Sequence, residues 1–318
     1  MSKIRACLIG CGDIGYGFDR YRVGDGALTH FKALMESERF ELCGVAEKRN
    51  ELRDEIAEKF GIRAYEDLEV MLEEQKPEVV VVASNDETHI PILNIALKHK
   101  PRLVFCEKPL GLKKDEVNNI LSEYESERVM LQVNYTRRFL KEFHNIKQKI
   151  SSGEIGKVSS VTFYYSRGLV HNASHYLDLV HWYFGTPDMV TTLSEREGLG
   201  EHDKSYTFRL GYTDGVEIIF IGLDSSKLSF AEIDIAGSAG RIKFNYRNEI
   251  EYYRVVENPN YRGFQMYELT ETIPVRFESA LPNAYENIFD CLAEGASLSC
   301  PGFESKKLFE TVNRIKNQ

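Results

Sequence analysis

No apolar run in this sequence approaches the roughly 20 residues that a membrane helix requires. Basic charge is also scarce: 40 Lys and Arg stand against 49 Asp and Glu, a formal net charge of −9 with a pI near 5.5. That balance argues against a nucleic-acid or anionic-membrane surface. The six cysteines (7, 11, 43, 106, 291 and 300) form no CxxC pair, so neither zinc nor a disulfide framework is indicated. Four of them lie in or beside apolar strand-like runs and read as buried free thiols. The opening "MSKIRACLIG" enters a strand at once, leaving no room for a signal peptide, and the chain reads as cytosolic. Internal repeats and low-complexity linkers are absent too. What remains is an ordinary globular composition, 42% hydrophobic and 28% charged, with a length that favours two domains.

The first third alternates strand and helix patterns. Short apolar runs at 4–10, 40–47, 78–84 and 102–108 suit a parallel sheet covered on both faces. Between them lie helical patterns: "THFKALMES" with Thr29 as N-cap, "NELRDEIAEKF" closed by Gly61, and "HIPILNIALKHK". This alternation predicts βαβ units and a doubly wound sheet. "VMLQVNY" (129–135) reads as its last strand, and a helix carrying Leu140, Phe143, Ile146 and Ile150 follows, stopped at Gly153. Long alternating strands come next. Tyr206, Phe208 and Leu210 share one face, the chain turns at Asp214–Gly215, and Val216, Ile218 and Phe220 repeat the pattern as a hairpin. The fold class is α/β: a Rossmann-like domain over 1–125, then an α+β domain over 126–318 with a large, mostly antiparallel sheet. Late helices near 282–294 and 303–316 are placed to pack back on the first domain.

"CLIGCGDIGYG" carries Gly10, Gly12 and Gly15 directly after the first strand, with Asp13 and Ile14 inside the loop. Such spacing makes a tight turn, lets backbone approach a pyrophosphate, and brings helix close to strand. Phosphate then sits on the N–H groups of a helix N-terminus. The second strand ends in Glu47, where a ribose-binding carboxylate belongs. Glu47 favours NAD by repelling a 2′-phosphate, while Lys48 and Arg49 behind it leave NADP open. The stretch 16–28 reads as an extra loop, either a lid over the cofactor or an oligomer contact.

"VFCEKPLG" puts Glu107, Lys108 and Pro109 at the carboxyl end of a buried strand, where open α/β sheets place their ligands. With the glycine loop, "SNDETHIPI", "NYTRRF", "SGEIGKV" and "SHYLDLVHWYFG" in the same order, the chain resembles the glucose–fructose oxidoreductase, inositol dehydrogenase and MocA family over nearly its whole length. The resemblance implies NAD(P)-dependent oxidation or reduction of a sugar, polyol or nucleotide sugar, and a homodimer or homotetramer through the open sheet. It also implies that Lys108 lies beside nicotinamide and substrate, with Glu107 and an often-cis bond to Pro109 shaping the cofactor site. Ser84, Asn85 and His89 fall in a cofactor loop; Tyr135 and Arg138 fall in the segment that closes the family's cleft.

The same resemblance places a catalytic histidine at His175 and an aspartate at Asp178. His171 stands where the family has another aspartate. Read as one helix, residues 171–182 bring His171, His175 and Asp178 to one face by i, i+4 and i+7 spacing. A metal site and an ordinary helix with core histidines compete with acid/base work there. Acid/base work is favoured, because an oxidised alcohol must lose its hydroxyl proton and imidazole titrates near neutrality. Asn172 or a water offers another proton route, and Arg167 is a candidate substrate contact. An NAD-dependent glycosidase-like enzyme and a non-catalytic dinucleotide-sensing regulator are the alternative functions.

Overall fold

A computed structural model describes residues 3–224 and 228–317. They form two compact units, residues through Phe139 with Phe277–Lys306, and Leu140–Arg276 with the residues from Lys307. The first unit holds β1 (Ile4–Ile9), α1 (His30–Glu36), β2 (Phe40–Ala46), α2 (Asn50–Phe60), β3 (Ala64–Tyr65), α3 (Leu68–Gln75), β4 (Val79–Val82), α4 (His89–Lys98), β5 (Leu103–Glu107), α5 (Lys114–Ser126) and β6 (Met130–Asn134). Its six strands are parallel in the order β3-β2-β1-β4-β5-β6, the doubly wound Rossmann order. All four valines of β4 are fully buried, as a strand covered on both faces must be; each contributes roughly 1.5–3 kcal/mol of transfer free energy. Thr29 caps α1 by accepting from the Lys32 N–H at 3.3 Å, and Gly61 ends α2 in the left-handed region. β3 and α3 carry little sequence signal: β3 is two residues long, and α3 is marked chiefly by its Asp67 cap.

Because β6 pairs with β5 as the sixth strand, the division falls after Phe139 rather than at residue 125. A short antiparallel contact between Gln132 and Pro301 continues the sheet beyond β6, with Val133 N–H donating to Cys300 O.

The second unit holds α6 (Lys141–Ser151), β7 (Val158–Tyr165), α7 (Ser174–Phe184), β8 (Met189–Gly198), β9 (Gly200–Gly211), β10 (Glu217–Gly222), β11 (Ala231–Gly237), β12 (Gly240–Phe244), β13 (Glu249–Glu257) and β14 (Gln265–Pro274). α8 (Ala280–Glu294) then belongs to the first unit, and most of α9 (Glu304–Lys316) to the second. The sheet order is β14-β13-β12-β11-β7-β10-β9-β8, antiparallel except for the β7–β10 pair. The expected hairpin pairs Leu210 with Ile218 and Phe208 with Phe220. Phe163 and Phe208 stack on either side of Phe220, at 4.4 and 4.5 Å. This cross-strand ladder joins three strands, and Tyr176 of α7 packs against Phe163. His181 bonds Thr311 of α9 at 3.0 Å, a structural contact. The six cysteines are unbridged. No helix among the described residues is long and apolar enough to cross a membrane.

Candidate active site

The β1–α1 turn assigns a different task to each glycine. Gly10 has φ +92°, and a Cβ there would lie 2.7 Å from the carbonyl oxygen of Ala83 beyond β4. Gly15 is pressed against the Gly10 carbonyl, so a side chain would collide with the preceding turn. Around Gly12 a Cβ would meet no atom within 4 Å. The open side at Gly12 is where a pyrophosphate can approach backbone. Gly10 and Gly12, with Asp13, Glu47, Arg49, Ser84 and Asn85, line a groove of about 600 Å³ at the carboxyl ends of β1, β2 and β4. Ile14 lines a separate apolar hollow with Phe18, Leu28 and Asn134.

Glu47 is held from several sides. Its carboxylate accepts from Cys11 N–H at 2.8 Å and Arg49 N–H at 3.0 Å, and from Arg49 Nε and Nη2 at 2.9 and 3.0 Å. Burial pushes this carboxyl up, but the bonds from Arg49 and Cys11 outweigh it and bring the pKa down to about 2. The group is therefore a carboxylate at neutral pH. Arg49, which the sequence suggests as a phosphate ligand, is folded onto Glu47 as its counter-ion.

At the end of β5 the Lys108–Pro109 bond is cis. Behind it lies a buried network absent from the sequence reading. Tyr285 OH lies 2.8 Å from His30 Nδ1, and His30 Nε2 lies 2.9 Å from Glu107 Oε1. A hydroxyl donating to Nδ1 and an Nε2–H donating to the carboxylate satisfy both ring nitrogens. Asn134 Nδ2 donates to the same oxygen at 2.6 Å, and Lys108 N–H to Oε2 at 3.3 Å. Burial raises the Glu107 pKa, yet the bonds from His30 and Asn134 and the charge of Lys108 hold it below the usual carboxylate range. Asp86 shares the electrostatic neighbourhood of Lys108; burial raises its pKa, against the pull of that lysine.

His89 is fully buried, its ring nitrogens 2.7 Å from Pro109 O and 3.1 Å from Ser84 O, and thus braces the two loops. Arg138 is buried and paired with Glu304 at 2.8 Å, while Tyr135 is buried beside it in sequence. The 16–28 loop is fastened internally: Asp19 accepts from Leu28 N–H and Thr29 N–H at 2.7 Å, and Ala27 N–H donates to Glu278 O.

The second unit carries the histidine segment, and there the single-helix expectation is corrected. Regular helix begins only at Ser174; residues Leu169–Ala173 form a π-turn, with Ala173 N–H bonded to Gly168 O. The wider turn breaks the i, i+4 relation between His171 and His175. Its cause is Asp203 on β9, whose carboxylate accepts from Val170 N–H at 2.9 Å and His171 N–H at 2.8 Å. Gly168 N–H donates to Ser205 Oγ at 3.2 Å. Asn172 Nδ2 donates to Ser166 O at 2.9 Å, Asp178 is buried, and His171 and His175 are partly exposed. Asp203 and Ser205 lie more than 30 residues from the segment they hold, and nothing local in their strand marks them.

Residues 4–135 match a family model described as an oxidoreductase family with an NAD-binding Rossmann fold. The myo-inositol 2-dehydrogenase of Thermotoga maritima is 33% identical over 147 residues, 46% of this chain and 42% of that protein. The rhizopine catabolism protein MocA of Rhizobium meliloti is 29% identical over 163 residues, 51% and 47% of the two chains. The alignments thus span less than half the length of these relatives. A crystal structure of an Agrobacterium radiobacter oxidoreductase, in complex with NAD+, L-tartaric acid and magnesium, superposes with a TM-score of 0.79 at 17% identity, over 99% of this chain and 97% of that one; it shares the fold. The first unit has the Rossmann strand order, and over residues 4–135 the chain is similar to the glucose–fructose oxidoreductase, inositol dehydrogenase and MocA family of oxidoreductases.

Proposed function

We propose that this protein is a cytosolic, NAD-preferring oxidoreductase acting on a secondary alcohol carbon of a sugar, polyol or nucleotide sugar. The observation that carries this reading lies in one parallel sheet: an open Gly12 turn and an ionised Glu47 at one side, and Lys108 on its network at the end of β5. A nicotinamide dinucleotide bound there supplies the hydride acceptor or donor. Gly12 and its neighbours bind the pyrophosphate through backbone N–H groups, and Glu47 accepts from the ribose hydroxyls. Lys108 Nζ donates a hydrogen bond to the reacting oxygen and stabilises its developing charge. His175 takes the hydroxyl proton on its imidazole, or returns it in the reverse direction. Tyr135, Asn172 and Asp178 are assigned to substrate binding and orientation, and His171 to supporting His175.

The test is formation of NADH across a panel of sugars, polyols and nucleotide sugars. A hit should vanish in Lys108→Ala and fall roughly 10²–10⁴-fold in His175→Ala. Tight NAD binding with no turnover across the panel would defeat the reading. The assembly proposed is a homodimer or homotetramer through the open sheet, supported by Met266, Tyr267 and Leu269, which stand exposed on β14. Light scattering that gave a monomer mass would refute it.

A further inference from the structure

We propose that the substrate carries an oxyanion, a carboxylate or phosphate on its polyhydroxylated skeleton, and that Arg167 binds it. This rests on the oxidoreductase reading above for the identity of the site. Arg167 sits between the end of β7 and the π-turn that holds His171, in the segment leading directly to His175.

Two observations separate it from an ordinary surface arginine. The first is charge. Arg167 is partly buried and forms no hydrogen bond or ion pair with any described residue. The other buried or half-buried arginines of this acid-rich chain are held by partners, among them Arg20 by Glu55, Arg138 by Glu304 and Arg241 by Asp234. The acidic group fastened to its own segment, Asp203, has both oxygens committed to the Val170 and His171 N–H groups and lies outside ion-pair range of Arg167. A guanidinium presents a planar fork of donors that fits carboxylate and phosphate oxygens in pairs, and its charge cannot be titrated away.

The second observation is backbone. Arg167 has φ +65°, a region a residue with a side chain seldom occupies. Gly168 follows at φ +84°, ψ +159°, a conformation essentially restricted to glycine. The surroundings enforce this reversal: Gly168 N–H is held by Ser205 Oγ, and Ser166 Oγ donates to Leu228 O at 2.7 Å and accepts from Phe230 N–H at 2.9 Å. Glycine or asparagine would meet position 167 with less strain. A half-buried charged side chain at this position, with no partner among the described residues, points to a ligand outside the protein.

The experiment is calorimetric titration of the full chain, with NAD present, using D-glucuronate, D-galacturonate and D-glucose 6-phosphate, each against its neutral parent sugar. The wild type should bind at least one anionic probe about tenfold more tightly than its parent, and Arg167→Gln should lose that margin while the neutral sugar is unaffected. Arg167→Lys should recover part of it. Arg167→Gly, which relieves the left-handed strain, should melt no lower than the wild type and still lose the anion. The uronates and the sugar phosphate distinguish the two anion sources. Equal anion affinity in the wild type and Arg167→Gln, or no anionic probe binding at all, overturns the proposal. Nicotinamide absorbance followed in the same samples keeps the two readings apart. Arg167-dependent anion binding without hydride transfer removes the oxidoreductase reading only. Turnover of a neutral polyol that is indifferent to Arg167→Gln removes only this one.

Discussion

The carboxylate of Asp203 accepts a hydrogen bond from the main-chain N–H of His171 at 2.8 Å, across a sequence separation of 32 residues. The aspartate that meets His171 does so through the residue's backbone, from a strand distant in the sequence. With the bond from Val170 N–H, it satisfies two main-chain donors of the π-turn that precedes α7. Asp203→Ala should cost about 1–2 kcal/mol of stability, the range for loss of a helix cap. Asp203→Asn, which keeps one acceptor oxygen, should cost less. Urea unfolding of the two variants checks this; equal midpoints for Asp203→Ala and the wild type would show that the clamp contributes nothing.

Gly12 and Gly15 should respond oppositely to the same substitution. Gly15→Ala forces a methyl group into the Gly10 carbonyl and should lower Tm markedly. Gly12→Ala meets no protein atom, so its Tm should stay within about 2 °C of the wild type. Its Kd for NADH should nevertheless rise at least tenfold, about 1.4 kcal/mol, because the methyl group occupies the approach to the pyrophosphate. Melting curves and fluorescence titration on the same samples separate the two effects.

The Glu47–Arg49 pair governs two measurable properties. The Glu47 pKa is depressed from 4.5 to about 2 in the folded protein. Its contribution is therefore fully present above about pH 4.5 and is lost as pH falls toward 2. The stability difference between the wild type and Glu47→Gln should be largest near neutrality and close over that window. In binding, Glu47→Gln should weaken NADH more than NADPH, and Arg49→Ala should weaken NADPH more than NADH. Tighter binding of NADPH than NADH to the wild type would contradict the NAD preference.

His30 and Glu107 form a buried pair whose halves depend on each other. Removing the imidazole with His30→Ala leaves the carboxylate short of its partner and should cost roughly 3–5 kcal/mol. Adding Glu107→Gln to that variant should recover part of the loss, since the stranded charge disappears. A double-mutant cycle by urea unfolding measures the coupling. Strict additivity would mean that the 2.9 Å contact carries no energy. Tyr285→Phe, which removes only the hydroxyl on His30, should cost about 1 kcal/mol.

Much of this molecule follows from local sequence alone. The runs at 4–10, 40–47, 78–84 and 102–108 are predominantly apolar, with polar residues chiefly at their ends, because both faces of a parallel sheet are covered, and β1, β2, β4 and β5 appear within one or two residues of those bounds. Gly10 and Gly15 were legible because the close approach of backbone leaves no room for a Cβ, and Gly12 because it completes the spacing that lets a pyrophosphate approach the turn. The same holds for Thr29, Gly61 and the Asp214–Gly215 turn, where a cap or a reversal is decided within four residues. Tertiary structure alone decided the rest. His30, Tyr285 and Glu107 meet across separations of 77 and 255 residues, and Asp203 reshapes the His171 turn from a strand with no distinguishing pattern. Periodicity records which face of an element is buried; it carries no record of which distant polar group is waiting there. A helix register inferred from i, i+4 spacing can therefore be overruled by one carboxylate brought in by the sheet.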